Sequence, residues 1–158
     1  PPPPLFFSQP TPPSHILSGL VGSEMCIRDR IIMDIERTML WAGLLALLFI
    51  YLAFQTAMAR DENSSVGEGS GELLKKSRVL GNLAEHAPLM LIMMMMLEND
   101  GSEGFVTLLG LLFFLCRLAH VYGILYQDGF GPKENPARAG GAIGSWALMA
   151  LAALACIF

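Results

Sequence analysis

Residues 78–97 read RVLGNLAEHAPLMLIMMMML. This is about the length a helix needs to cross a bilayer core, and its polar side chains are confined to its first half. Arg78, Asn82 and Glu85 follow one another at spacings of four and three, which sets them along one stripe of that helix. A carboxylate seven residues into a span is costly in hydrocarbon, so Glu85 must face protein, water or a ligand.

The apolar block of this helix is residues 79–97, and three more flank it, at residues 39–59, 105–126 and 139–158, separated by charged stretches. The chain has 158 residues, of which 53% are hydrophobic and 15% charged, and its mean hydropathy is +0.51. These values define an all-α, multi-pass integral membrane protein, a bundle of four transmembrane helices with no fifth segment available. The net charge of -4 comes from acidic residues scattered through loops, which excludes a nucleic-acid surface. Cys26, Cys116 and Cys156 form neither a CxxC pair nor a disulfide framework. No HExxH or paired-carboxylate pattern occurs, so no metal is expected. The four methionines at 93–96 point around a helix rather than at one site and read as core or lipid contacts.

Loop charge sets the expected topology. Arg60, Lys75, Lys76 and Arg78 belong to the first loop region, and Lys133 and Arg138 to the third, whereas residues 98–104 carry no base. Loops one and three are therefore expected in the cytoplasm, and a bacterial source would make the membrane the inner one. The first loop, residues 60–77, is rich in Gly, Ser and Glu and reads as a flexible connection. Residues 1–32 lack helical or strand periodicity. LVGSEMCIRDR at 20–30 resembles a translated sequencing-adaptor read-through, so translation is expected to begin at Met33, with a disordered extension as the alternative. The membrane domain is assigned to residues 33–158.

Asn99, Asp100 and Gly101 make the second connection a tight turn, so the second and third spans form an antiparallel hairpin. Depths then compare directly: Glu85 lies about 10 Å from Arg78, while His120 and Arg117 lie about 9 and 13 Å from Tyr126. Asn82, Glu85, His120 and Arg117 are expected to converge in one half of the membrane, with Arg78 and Arg138 at the rim, in one shared pocket. Two readings follow. Glu85 and Arg117 form a structural ion pair with Asn82 and His120 satisfied locally, or the surplus of guanidinium groups receives an anionic ligand, gripped bidentately. Trp41 and Tyr126 read as interfacial anchors, and Tyr122 as an anchor or a ligand contact. His86, one residue past Glu85, points elsewhere and reads as a subunit or loop contact.

The pattern RxxxNxxExxP at Arg78, Asn82, Glu85 and Pro88, with RLAH at 117–120 and PAR at 136–138, resembles the MAPEG superfamily of membrane-associated proteins in eicosanoid and glutathione metabolism. The likeness covers residues 33–158 and is greatest to the short bacterial members. It implies a four-helix protomer that assembles as a homotrimer, with glutathione as cosubstrate held between subunits near the cytoplasmic face. Gly140 and Gly144 form a GxxxG step compatible with such an interface or with packing inside one protomer. The resemblance further implies that Arg78, Asn82 and Glu85 bind the glutathione backbone, Glu85 at its amino group, and that Arg117 and His120 line the same site. Arg138 is implied as the catalytic residue, stabilising the thiolate. The need is physical: a thiol of pKa about 8.5 is only a few per cent ionised at pH 7, and the thiolate is the nucleophile.

Two positions depart from eicosanoid-forming relatives, Ile124 where a tyrosine stands in some and Ala139 where one uses a serine. The expected activity is therefore generic glutathione transfer to lipophilic electrophiles or reduction of hydroperoxides. The alternatives are a bundle that binds glutathione or lipid without turnover and, third, a proton or ion pathway through Glu85 and His120.

Overall fold

The computed structural model describes residues 35–60, 71–127, 129 and 132–158. The 1–32 tail, the proposed start at Met33 and the GEGS stretch at 67–70 lie outside the described residues. Four helices follow in order: α1 (Glu36–Met58), α2 (Gly71–Asn99), α3 (Glu103–Tyr126) and α4 (Pro136–Ile157). All four are long and apolar enough to cross a membrane. α2 packs against the other three helices, α4 lies chiefly along α3, and α1 and α4 do not touch.

α2 is the longest, with 29 residues, or about 43 Å at the α-helical rise, against a bilayer core of about 30 Å. Its surplus is at the N-terminal end. Residues 71–77, expected in the first loop, are helical, so Arg78 is carried on a rigid element rather than at a loop edge. At the other end Glu98 and Asn99 also belong to the helix, which stops at a glycine. Gly101 has φ +89°, its N–H reaches the Glu98 carbonyl, and Ser102 N–H reaches that of Leu97 at 3.1 Å. This double closure satisfies carbonyls that the helix end leaves without partners and turns the chain sharply into α3.

Glu98 does more than end α2. It is 3% exposed, and its two oxygens accept the backbone N–H groups of Arg37 at 2.6 Å and Thr38 at 2.7 Å. The first turn of α1 has no side-chain cap of its own. A carboxylate from a neighbouring helix thus satisfies its open donors and complements the positive end of its dipole.

Small residues set the α3–α4 distance. A Cβ on Gly141 would stand 2.5 Å from the Cys116 carbonyl oxygen and 2.6 Å from the His120 nitrogen, and one on Gly144 would meet Cys116 Sγ at 2.7 Å. Gly140 faces open space, so the close approach runs through Gly141 and Gly144 inside the protomer, and the GxxxG pair expected at 140 and 144 does not act as one surface. Trp41, expected as an interfacial anchor, is a core residue instead. It is 7% exposed, lies against Gly110, where a side chain would collide with the indole, and tilts toward Phe114 at 6.3 Å between ring centroids. The methionine run wraps around α2 as its spacing requires: Met93 and Met94 are buried and Met96 is exposed.

Replacing Glu98 with alanine leaves two buried N–H groups at the α1 terminus without acceptors, and should cost about 1–2 kcal/mol of stability. Glu98→Gln, which keeps an acceptor oxygen, should lose less. Unfolding of the detergent-solubilised protein by heat or by a denaturing surfactant measures both.

Candidate functional site

The start of α4 is fixed before any ligand group is placed. Asn135 is its N-cap, with Pro136 at the first helical position, and its side-chain oxygen accepts the Arg138 N–H at 3.0 Å. The same side chain turns its amide toward α3 and donates to the Gly123 carbonyl at 2.7 Å. Beside it His120, 7% exposed, has Nδ1 3.0 Å from the Arg138 carbonyl oxygen. The first turn of α4 is therefore held to the last turns of α3 at both Asn135 and Arg138.

Deeper in the bundle Arg117 is 2% exposed and fully engaged. Its Nε donates to Ser145 Oγ at 2.8 Å and one terminal nitrogen to Asn82 Oδ1 at 2.7 Å. The other terminal nitrogen reaches the Gly141 carbonyl at 3.4 Å. Ser145 passes its own proton to Gly141 O at 2.6 Å, and the guanidinium carbon stands 5.4 Å from the Phe113 ring centroid. One cation thus joins α2, α3 and α4. Arg117 can only donate, so Asn82 must turn its carbonyl oxygen inward, which leaves its NH₂ as the group to offer a ligand.

A second tie joins α2 to α4 one turn along. His86 Nδ1 lies 2.7 Å from the Asn82 backbone oxygen, and its Nε2 lies 3.0 Å from the Trp146 indole nitrogen. The indole N–H is a donor only, so Nε2 accepts and Nδ1 carries the proton. His86, expected at a subunit or loop contact, belongs to this intraprotomer link.

Above these ties lies a cavity of about 1000 Å³ between α2, α3 and α4. Lys75, Arg78 and Arg138 line it together with Asn82, His120 and Asn135, and its apolar lining includes Ile124, Ala139, Ala142, Ile143 and Trp146. Of the seven residues singled out from sequence, Arg78, Asn82, His120 and Arg138 meet here. Arg117 and Glu85 do not line the cavity, so the single pocket expected for them with Arg78, Asn82, His120 and Arg138 is not formed within one protomer, and Tyr122, read as an anchor or a ligand contact, does not line it either. Arg117 acts on it through Asn82. Glu85 is exposed on the outer side of α2, and no Glu85–Arg117 ion pair forms, because the guanidinium is taken up by Asn82, Ser145 and Gly141. Tyr122 is 53% exposed and stacks on Tyr126 at 5.5 Å between centroids, away from the cavity.

Sequence reasoning passed over Asn135, Ser145 and Trp146. Asn135 carried a signal, an N-capping residue directly before a proline. Ser145 and Trp146 carried none beyond being polar atoms in an apolar helix, since only the rotation of α4 shows what they face.

A family model described as the MAPEG family matches residues 38–158. Inner membrane protein YecN of Escherichia coli strain K12 is 31% identical over 91 residues, which cover 56% of this chain and 70% of that protein. YecN of Escherichia coli O6:H1 strain CFT073 matches with the same identity and coverage.

Arg117→Lys keeps a charge but not the planar fork, so Asn82 and Ser145 lose their donor together. It should destabilise the protein by about 2–3 kcal/mol, against about 1 kcal/mol for Ser145→Ala, in surfactant-induced unfolding followed by helix content.

Proposed function

The chain belongs to the MAPEG family, and on that premise we propose that it is a membrane-embedded, glutathione-dependent transferase or peroxidase that acts on lipophilic electrophiles or hydroperoxides. The observation that carries this reading is the mixed lining of the cavity, with Lys75, Arg78 and Arg138 as cationic groups and an apolar stretch of α4 that runs to Trp146, about 12 Å from Arg138 along the helix. Glutathione has two carboxylates, an ammonium group and a thiol, and its net negative charge suits the cationic side. The cavity volume, about 1000 Å³, is ample for a tripeptide together with part of a second reactant.

In this reading Arg78 and the Asn82 amide hold carboxylate and backbone groups of glutathione, His120 forms part of the floor, and Arg138 is the catalytic residue. A guanidinium close to the thiol stabilises the thiolate, and lowering the thiol pKa by two units takes about 2.7 kcal/mol. One charge-assisted contact in a partly desolvated site is of that order. The tautomer of His120 is not needed for this step.

Glu85 bears on assembly. It faces outward from a membrane-crossing helix, about 9 Å inside the core when the distal end of α2 is set at the bilayer surface. A carboxylate there requires a polar counterpart from outside the protomer. A homotrimer with glutathione held at the junction of two subunits meets that need, since Glu85 and the ligand ammonium would complete each other across the interface. We assign the cationic end to the cytoplasmic side on the basis of loop charge.

A second reading, binding without turnover, is favoured by one observation: Ile124 and Ala139 both line the cavity and neither offers a hydroxyl. Titration of the purified protein with glutathione separates the two. Enzymatic function predicts saturable binding with a thiolate absorbance band that Arg138→Ala abolishes while helix content and unfolding stay as in the parent. Arg78→Ala should weaken binding about tenfold, the loss of one charge-assisted contact. Binding with neither band nor turnover supports the second reading, and absence of glutathione binding overturns both.

A further inference from the structure

The cavity's apolar wall is built around one ring whose orientation is fixed from another helix. Trp146 lies eight residues past Arg138 on α4, about 12 Å farther from the cationic end. It stands 57% exposed, with Ile143 beside it at 59%, so the two form the outer rim of the cavity at span depth. The indole nitrogen is the ring's one polar atom, and it is consumed by His86 Nε2 at 3.0 Å. His86 is itself set by its contact with the Asn82 carbonyl at 2.7 Å. What the ring presents to the cavity is therefore a hydrocarbon face with no donor left over. Ala142, one turn before it on α4, also lines the cavity, while Ala139 and Ile124 line it nearer Arg138, whose backbone packs against Gly123. None of these side chains can read a carboxylate, hydroxyl or amide.

We propose that Trp146, held in place by His86, is a platform on which a flat aromatic or conjugated electrophile stacks while glutathione occupies the cationic end. This names the second substrate class of the reaction proposed above and rests on that reading. His86 is a positioning residue, because it touches the ring and not the substrate. Aromatic stacking favours planar π-systems beyond what their apolar area alone supplies. A straight-chain hydroperoxide gains nothing comparable from the wall.

The test uses the full chain in lipid nanodiscs, with 1-chloro-2,4-dinitrobenzene as the aromatic substrate, a linear alkyl hydroperoxide as the comparison, and unreactive 1,3-dinitrobenzene as a binding probe. Trp146→Leu should raise KM for the aromatic substrate about tenfold while KM for glutathione stays within about twofold. The hydroperoxide KM should move much less. His86→Leu should reproduce most of the aromatic effect, and His86→Gln, which keeps an acceptor, should restore it in part. In a Trp146→Phe background, where no indole N–H remains, His86→Leu should have no further effect. A role of His86 in general stability would persist there. Independently of turnover, 1,3-dinitrobenzene should saturably quench the share of the intrinsic fluorescence that Trp146→Leu removes, and His86→Leu should weaken that binding. Saturable quenching that depends on His86, in a protein that neither binds nor uses glutathione, would sink the glutathione reading and keep the platform. Glutathione turnover with an aromatic KM indifferent to Trp146→Leu and His86→Leu overturns the platform and leaves the enzyme standing.

Discussion

A guanidinium enclosed at membrane depth governs this bundle. Arg117 is 2% exposed, and hydrocarbon offers it no water, so every donor direction must be met by protein. Asn82 from α2 and Ser145 and Gly141 from α4 give each of its three nitrogens an acceptor, and Phe113 from its own helix supplies a π face. Such polar contacts are the strongest directional links available between helices in lipid, where apolar surfaces alone do not select a partner. Because the fork is planar, it fixes the rotation of α2 and α4 about α3 as well as their separation. The glycines at 141 and 144 are a precondition: only with α4 this close to α3 does the side chain reach Ser145 and the Gly141 carbonyl.

The cavity inherits its geometry from that clamp. Asn82 gives its oxygen to Arg117 and its backbone carbonyl to His86, so one residue of α2 ties the buried cation to the indole at the cavity rim. Ser145 and Trp146 are consecutive on α4 and are held by these two links in turn. At the other end Asn135 and His120 anchor the first turn of α4, which carries Arg138. The cationic and apolar sides are thus positioned by separate sets of contacts, one at the helix start and one a turn or two deeper. Arg117 spends its charge on structure, and the cationic side chains that line the cavity are Lys75, Arg78 and Arg138 instead.

Much of this was legible in the residues because membrane helices declare themselves by length and hydropathy. All four helices lie within a few residues of the apolar blocks, except that α2 starts eight residues earlier, since residues 71–78 are too polar to register as span and yet sufficient to continue a helix. Rotation was harder to read. On an ideal helix Glu85, Arg78, Asn82 and His86 stand at about −20°, 0°, 40° and 80°, taking Arg78 as origin. A stripe drawn through the first three is correct, but the cavity covers only part of it and the polar contacts to α4 continue on the His86 side. His86 is one residue from Glu85 in sequence and about 100° away around the helix, while it is only about 40° from Asn82. The Glu98 cap on α1 had no sequence signal, because it joins residues sixty positions apart whose pairing follows only from the hairpin's packing.

The proposed reaction sets the remaining constraint, because its two reactants differ in solubility. In it a charged thiol peptide would arrive from water and a lipophilic electrophile from the bilayer, so a site that serves both must run from the end of the bundle to its flank. A cavity that extends about 12 Å along α4 from Arg138 to Trp146 has that run. It also orders the chemistry by depth. Arg138 lies in the first turn of α4, at the end of the cavity that Lys75 and Arg78 also line. Ala139 and Ala142 follow it along the same helix without polar groups that would hold water beside a nucleophile. In the proposed reaction, the transition from cation to apolar lining along α4 would let a thiolate be stabilised from one side and meet its partner from the other.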